Sequence, residues 1–224
     1  MPKLYRSRIP VFCLLLILSS VASRPQVTGR SRGLDERVQA FLDKMGYRWR
    51  DMNVPQKDGS LLYDIVLENK YTKALEIGTS TGRSGIYIAW ALSKTGGKLT
   101  TVEIDNGRYE EALANFREAG LSEYIEARLA DAHELVPKLA GPFDFVFIDA
   151  DKDWYTDYAQ AIIPKLKAGG CIAAHNVYER RAGWGGYGGT GDFFKYMKSL
   201  PQFETSILAE SHGGLSVSYK KKTS

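Results

Sequence analysis

The stretch CIAAHNVYERR, Cys171 to Arg181, sets His175 and Asn176 at the end of an apolar run. An imidazole beside an amide in that position can ligate a metal, take a proton as a general base, or cap a strand as a polar residue. FVFIDADKDWY, Phe145 to Tyr155, likewise ends an apolar run in Asp149, Asp151 and Lys152. A third run closes in LEIGTSTGRSG, Leu75 to Gly85, whose glycines let the backbone approach a ligand at a helix N-terminus. A dinucleotide fingerprint starting at Gly78 needs glycine at 80 and 83. Ser80 and Arg83 stand there, so a nicotinamide cofactor is disfavoured. Glu103, after KLTTVE, can accept both ribose hydroxyls of a nucleoside cofactor from the end of a second strand; the alternative is a solvated strand-end carboxylate.

These residues need a sheet to gather them. KALEIG (73–78), KLTTVEID (98–105), YIEARL (124–129), FDFVFID (143–149) and CIAAHN (171–176) read as strands, with helical stretches at 83–94, 108–119, 132–140 and 154–166. Parallel neighbours need crossover connections, and apolar strands must be covered on both faces. The expected fold is α/β: a doubly wound, mostly parallel sheet of seven strands with helices on both faces. Two helices precede it, one from Leu34 ending at Gly46 and one over 58–69. A helix at 192–199 and then FETSILA and LSVSYK, separated by Gly213 and Gly214, predict a closing antiparallel hairpin. Ligands of such sheets collect at the carboxyl ends of the strands.

Glu76-x-Gly78-x-x-x-Gly82 is similar to the first motif of class I S-adenosylmethionine-dependent methyltransferases. With MNVPQKDGSLL (52–62), FVFIDADKDWY and GGCIAAHN, the chain resembles the small O-methyltransferases that include catechol and caffeoyl-CoA O-methyltransferase, over about residues 45–220. The resemblance implies a Rossmann-like domain over 34–224 that moves a methyl group from S-adenosylmethionine to a small phenolic or catechol-like hydroxyl. It implies that Val54, Glu76, Gly78, Ser84, Glu103, Asp131 and Asp151 surround the cofactor, with Ala132 and His133 at the adenine. His133 is equally readable as a surface residue at a helix start. By the same resemblance Asp149 is a metal ligand and Lys152 receives or orients the phenol proton; an exposed helix-start lysine is its plainer reading.

The family's fifth strand ends in Asp-Asn, both ligating a divalent cation, where this chain has His175-Asn176. Losing a carboxylate disfavours Mg²⁺ and Ca²⁺, and imidazole suits Mn²⁺, Fe²⁺ or Zn²⁺ better. His175 therefore stays open between a ligand of a softer metal, a metal-independent general base, and a structural residue. The altered pair also motivates a second class of function, a non-catalytic S-adenosylmethionine-binding or membrane-associated interaction protein. Beyond Asn176, VYERRAGWGGYGGTGD reads as a substrate lid with Trp184 and Tyr187 as aromatic walls and Arg180 and Arg181 for an anionic acceptor, or as a plain surface loop. Trp154 either lines the acceptor pocket or packs in its helix. Glu210 lies near the place of a glutamate that the catechol enzyme carries by its C-terminal hairpin, in an uncertain register.

At 224 residues, with 44% hydrophobic and 25% charged side chains, the chain suits one domain with its own core, as a monomer or homodimer. Six of its 30 Lys and Arg residues and none of its 26 Asp and Glu lie in residues 1–32, so the formal charge of +4 belongs to the leader and no nucleic-acid footprint is implied. Lys3, Arg6 and Arg8 precede the uncharged run Ile9 to Ser23, which spans about 22 Å as a helix, short of a ~30 Å hydrocarbon core. Residues 1–23 thus read as a signal peptide or a short membrane anchor, and 24–33 as a linker, with the domain exported, membrane-anchored or cytoplasm-facing. Cys171 is the only cysteine besides Cys13, which excludes an intramolecular disulfide once the leader is gone.

Overall fold

The structure is a computed structural model and describes residues 29–49, 51–178 and 188–222. Helix α1 (Gly29–Met45) turns Val38, Phe41 and Leu42 into the core and stops where Gly46, at φ +40°, opens a single 3-10 turn. It begins earlier than the pattern of apolar residues predicts, because no proline after Pro25 interrupts the helix; part of the expected linker is therefore helical. Helix α2 (Gln56–Glu68) buries Leu62, Ile65 and Val66, the inward stripe read from the sequence.

Strand and helix then alternate as β1 (Lys73–Ile77), α3 (Arg83–Thr95), β2 (Lys98–Glu103), α4 (Asn106–Ala119), β3 (Ile125–Leu129), the short α5 (Ala132–Leu135), β4 (Phe143–Ile148), α6 (Tyr155–Ile162) and β5 (Leu166–Ala174). Helix α7 (Gly188–Ser199) precedes β6 (Phe203–Ile207) and β7 (Ser216–Lys220). The sheet order is β3-β2-β1-β4-β5-β7-β6; β1 to β5 run parallel and β7 pairs antiparallel with both β5 and β6. The doubly wound sheet and its closing antiparallel pair are those the alternation predicts. Strand β5 starts at Leu166, earlier than expected, because a register irregularity between Phe143 and Phe145 lets LKAGG join the ladder.

Successive side chains point to opposite faces, so β4 feeds two cores. Phe145 and Phe147 join Cys171, Ala173 and Val217 beneath α1 to α4, whereas Val146 and Ile148 join Leu75, Ile77 and Ile172 beneath α6 and α7. This double coverage keeps β1, β4 and β5 free of water except at their ends, and the ends are in register. The Asp149 amide donates to Ile77 O at 2.9 Å and the His175 amide to Ile148 O at 3.1 Å. Gly78, Asp149 and His175 therefore leave the sheet side by side, at the β1/β4 switch point where chain order reverses.

Gly78 makes that approach feasible. Its φ of +98° is left-handed, and a Cβ there would stand 2.5 Å from Asp149 O. We expect Gly78→Ala to lower the unfolding free energy by about 1–3 kcal/mol, read as a shifted urea midpoint; an unchanged midpoint would contradict this account of the β1–β4 approach.

Candidate active site

A cavity of about 600 Å³ opens at the carboxyl edge between β1, β2 and β4. At one end, Glu103 is fixed by three backbone amides: Oε2 accepts from Ser80 N at 2.7 Å, and Oε1 from Ile104 N at 3.0 Å and Asp105 N at 2.9 Å. A carboxylate so held keeps lone pairs aimed into the cavity, where paired hydroxyls can donate to them. Ser80, at φ +48°, lines the same wall, and its buried Oγ has no partner among the described residues. Such a hydroxyl fits a polar ligand held at this point.

The far wall is aromatic. His133 Nδ1 lies 3.0 Å from Asp131 Oδ1 and Nε2 lies 3.5 Å from Asp151 Oδ2. The imidazole stacks on Tyr158, nearly parallel to it at 5.8 Å, and meets Trp154 at 4.2 Å with the rings tilted by 42°. Trp154, read either as a pocket wall or as packing, is 40% exposed, packs against His133 and Tyr158 and does not border the cavity. His133 and Tyr158 border the cavity, and their rings can hold a flat heterocycle while Glu103 takes its sugar. From the near rim, Met52 and Asn53 face the cavity, and Arg108 closes over it through an ion pair with Asp51 at 2.5 and 3.1 Å.

The other end holds the reactive groups. Lys152 Nζ donates to Asp149 Oδ1 at 2.5 Å and to Tyr155 Oη at 2.8 Å, and Tyr155 Oη donates to His175 O at 3.2 Å. Burial, followed by the Asp149 carboxylate, pushes the Tyr155 phenol far above its ordinary pKa, so it remains a neutral hydrogen-bonding group. His175 is 5% exposed and lies between two carboxylates: Nε2 is 2.9 Å from Asp58 Oδ2 and Nδ1 is 3.4 Å from Asp149 Oδ2. Burial of the ring opposes its charged form, but the bonds to Asp149 and Asp58 outweigh it and raise its pKa to about 9. Asp58, fully buried, accepts amide hydrogens from His212 and Gly213, each at 2.8 Å. Burial works against its charge too, yet His175, the His212 amide and the Ser211 side chain hold its pKa below the usual carboxylate value. Gly213 is required here, since a Cβ would stand 2.2 Å from His175 Nε2.

Of the residues read from the sequence, Gly78, Glu103, Asp131, Ala132, His133, Asp149, Asp151, Lys152, His175 and Asn176 line this one cavity. Val54, Glu76 and Ser84 do not; they are buried behind its wall. The Val54 carbonyl accepts from Arg83, and Glu76 bonds Thr101 at 2.6 Å and Ser84, burial raising its pKa to about 8. Their influence on a ligand passes through the groups in front of them. Trp184, Tyr187, Arg180 and Arg181 lie outside the described residues, as does the apolar leader. Among the described residues no helix is long and apolar enough to cross a membrane. Glu210 is exposed in the β6–β7 connection, away from His175, and the neighbouring His212 and Gly213 make the contact to Asp58 instead.

Sequence reasoning missed Asp58, Tyr155, Ser80 and Arg108. An acid in the first turn of a helix reads as an ordinary complement to the helix dipole. The available signal was spacing: Asp58 precedes Leu62 by one helical turn and so sits on the buried stripe of α2.

A doubly wound sheet with its cavity at the switch point, and a lysine–carboxylate pair at one end of that cavity, places the protein among the Rossmann-like α/β domains. Residues 30–186 match the profile of the O-methyltransferase family, and the chain belongs to that family. It is similar to a catechol O-methyltransferase of Niastella koreensis, with 42% identity over 130 residues, 56% of this chain and 58% of that protein. It is 37% identical over 135 residues to a caffeoyl-CoA O-methyltransferase of Stellaria longipes, covering 57% and 53% of the two chains. The match thus spans little more than half the length of these relatives. An O-methyltransferase from Bacillus cereus, solved in complex with SAH, superposes with a TM-score of 0.68 at 24% identity over 88% of this chain and 93% of that one. At that identity the likeness is one of fold.

The Asp58–His175 pair has a definite signature in pH. A histidine whose folded pKa is raised contributes stability in full below its unfolded pKa of about 6.5 and loses it as pH rises through about 9. Asp58→Asn removes the partner charge and should cost about 3 kcal/mol near pH 6. The gap between wild type and variant in urea unfolding should shrink as pH passes 9; a gap independent of pH would contradict a charged His175.

Proposed function

We propose that this chain transfers a methyl group from S-adenosylmethionine to a hydroxyl of a small phenolic or catechol-like acceptor. The observation that carries the reading is the single cavity holding a backbone-anchored Glu103 at one end and the Lys152–Asp149 pair at the other. Family membership and the catechol and caffeoyl-CoA relatives support it. When bound, S-adenosylmethionine supplies an electrophilic methyl on a sulfonium. Glu103 takes the ribose hydroxyls, and His133, with Asp131, Asp151 and the Tyr158 ring, takes the adenine. Gly78 lets the backbone close on the remainder.

In the transfer, the acceptor oxygen forms the new O–C bond as the C–S bond breaks, and the sulfonium becomes a neutral thioether. A free phenol with a pKa of about 10 supplies little anion at neutral pH, so its proton needs a destination. Lys152 Nζ, 2.5 Å from Asp149 Oδ1, receives or orients it, and the Asp149 carboxylate balances positive charge on the lysine. Tyr155 fixes the direction of Nζ from the other side. Holding acceptor and donor in line supplies much of the rate.

The full chain should bind S-adenosylmethionine in calorimetry and methylate members of a catechol panel. Glu103→Ala should weaken cofactor binding by roughly tenfold or more. Lys152→Ala should lower kcat by about 10²–10⁴-fold with cofactor binding retained. Absence of cofactor binding by the wild type would overturn the proposal.

We further propose that residues 1–23 form an export signal or short anchor ahead of the domain over 34–224. Mass spectrometry of the mature N-terminus should find cleavage after Ala22 or Ser23; an intact Met1 would assign the run to a retained anchor instead.

A further inference from the structure

The near wall of the cavity is assembled from two segments far apart along the chain. Met52 and Asn53 come from residues 51–54, ahead of α2, and Glu103, Ile104 and Arg108 from the passage of β2 into α4. The first segment is tied at its inner end to the start of α3. Asn53 Nδ2 donates to Thr81 Oγ1 at 2.8 Å, Asn53 Oδ1 accepts from Arg83 N at 3.3 Å, and Val54 O accepts from Arg83 Nη1 at 3.1 Å. Its outer end is held by a two-pronged ion pair, in which Arg108 Nε donates to Asp51 Oδ2 at 2.5 Å and Nη2 to Asp51 Oδ1 at 3.1 Å. Between the inner tie and the outer bridge lies Met52, 68% exposed and facing the cavity; Ile104, on the other segment, is 65% exposed and borders it too.

Two features show that the bridge is not a by-product of the helix that carries it. Arg108 stands in the first turn of α4, which holds no acid, and a cation there opposes the helix dipole. A placement that weakens the helix is accounted for by the partner it reaches. Asp51, in turn, takes a left-handed φ of +63°, a conformation that few residues other than glycine, asparagine and aspartate adopt. In that conformation its carbonyl accepts from the backbone amide and the side chain of Asn53, while its carboxylate takes both prongs of the guanidinium.

We infer that the Asp51–Arg108 bridge is a strap that retains the cofactor, holding Met52 and Asn53 against it and setting how long it stays bound. The inference rests on the S-adenosylmethionine reading of the cavity. Asp51 and Arg108 are positioning residues, acting through residues 51–54 and not on the reacting atoms. After each transfer the cofactor has to leave as its thioether product, so the strap opens once per turnover. The two side chains are 32% and 36% exposed, which leaves the bridge open to screening by salt. A pair of that exposure is strong enough to slow departure and weak enough to open.

Dissociation of S-adenosylhomocysteine from the immobilised full chain, followed by surface plasmon resonance, tests this. The dissociation rate should rise about two- to fivefold in Asp51→Asn and in Arg108→Gln, and less in Arg108→Lys, which keeps the charge but not the fork. Asp51→Asn preserves both the size of the side chain and its tolerance of a left-handed φ. The double variant Asp51→Asn, Arg108→Gln should release no faster than either single one, because each substitution alone already breaks the pair. Raising NaCl from about 0.01 M to about 1 M, where the Debye length falls to about 3 Å, should bring the wild-type rate up to that of the variants and leave theirs unchanged. Unaltered rates in both single variants, additive effects in the double variant, or variants that respond to salt as the wild type does would each overturn the strap. If the wild type binds neither S-adenosylmethionine nor S-adenosylhomocysteine, the methyltransferase reading fails and the strap with it; binding with unaltered release overturns the strap alone. If one variant does not fold, the other and the salt dependence of the wild type decide.

Discussion

The buried contact between Asp58 and His175 is the constraint on which the reactive end of the cavity depends. It joins the first turn of α2, the end of β5 and the connection between β6 and β7, segments from opposite ends of the chain. Two charges removed from water are costly unless each finds compensating partners. Here the compensation is complete: two amides and an imidazole for Asp58, and two carboxylates for His175. Shifting the hairpin would uncover Asp58, and shifting α2 would uncover His175. The pair thus fixes where Asp149, and through it Lys152, presents its side chain.

That arrangement works because the sheet delivers its pieces in register. The ladder bonds from Asp149 to Ile77 and from His175 to Ile148 carry the alignment one residue beyond the strands. The cofactor end is built differently, from backbone amides at the turns after β1 and β2. Amides in a tight turn have little freedom to move, which suits recognition of a fixed sugar. Side-chain chains such as Lys152–Asp149–His175–Asp58 suit the handling of charge, because each member polarises the next.

Much of this could be read before folding. The five parallel strands and their crossover helices were legible because buried parallel strands are nearly continuous apolar runs, and the polar residues that end those runs mark the ligand edge. Gly78, Glu103, Asp149, Lys152 and His175 were found on that ground, and all border the cavity. Val54, Glu76 and Ser84 came from motif position alone, and their place behind the wall reflects that a motif constrains packing as often as contact. The two readings of Trp154 stayed open because periodicity specifies which face a residue occupies only where the helix is regular, and Trp154 sits in a 3-10 turn ahead of α6.

The amino-acid sequence by itself determined the doubly wound α/β fold, the ligand edge at the carboxyl ends of the strands and the family resemblance of the chain, since all three rest on local periodicity and short motifs. It also showed that His175 stands where similar enzymes hold an aspartate. Which groups surround that histidine was decided by tertiary structure alone. The character of an ionisable side chain is set by the charges that surround it in space. Asp58 lies more than a hundred residues away along the chain, in a helix where an acid reads as unremarkable, and only folding sets its carboxylate 2.9 Å from the ring.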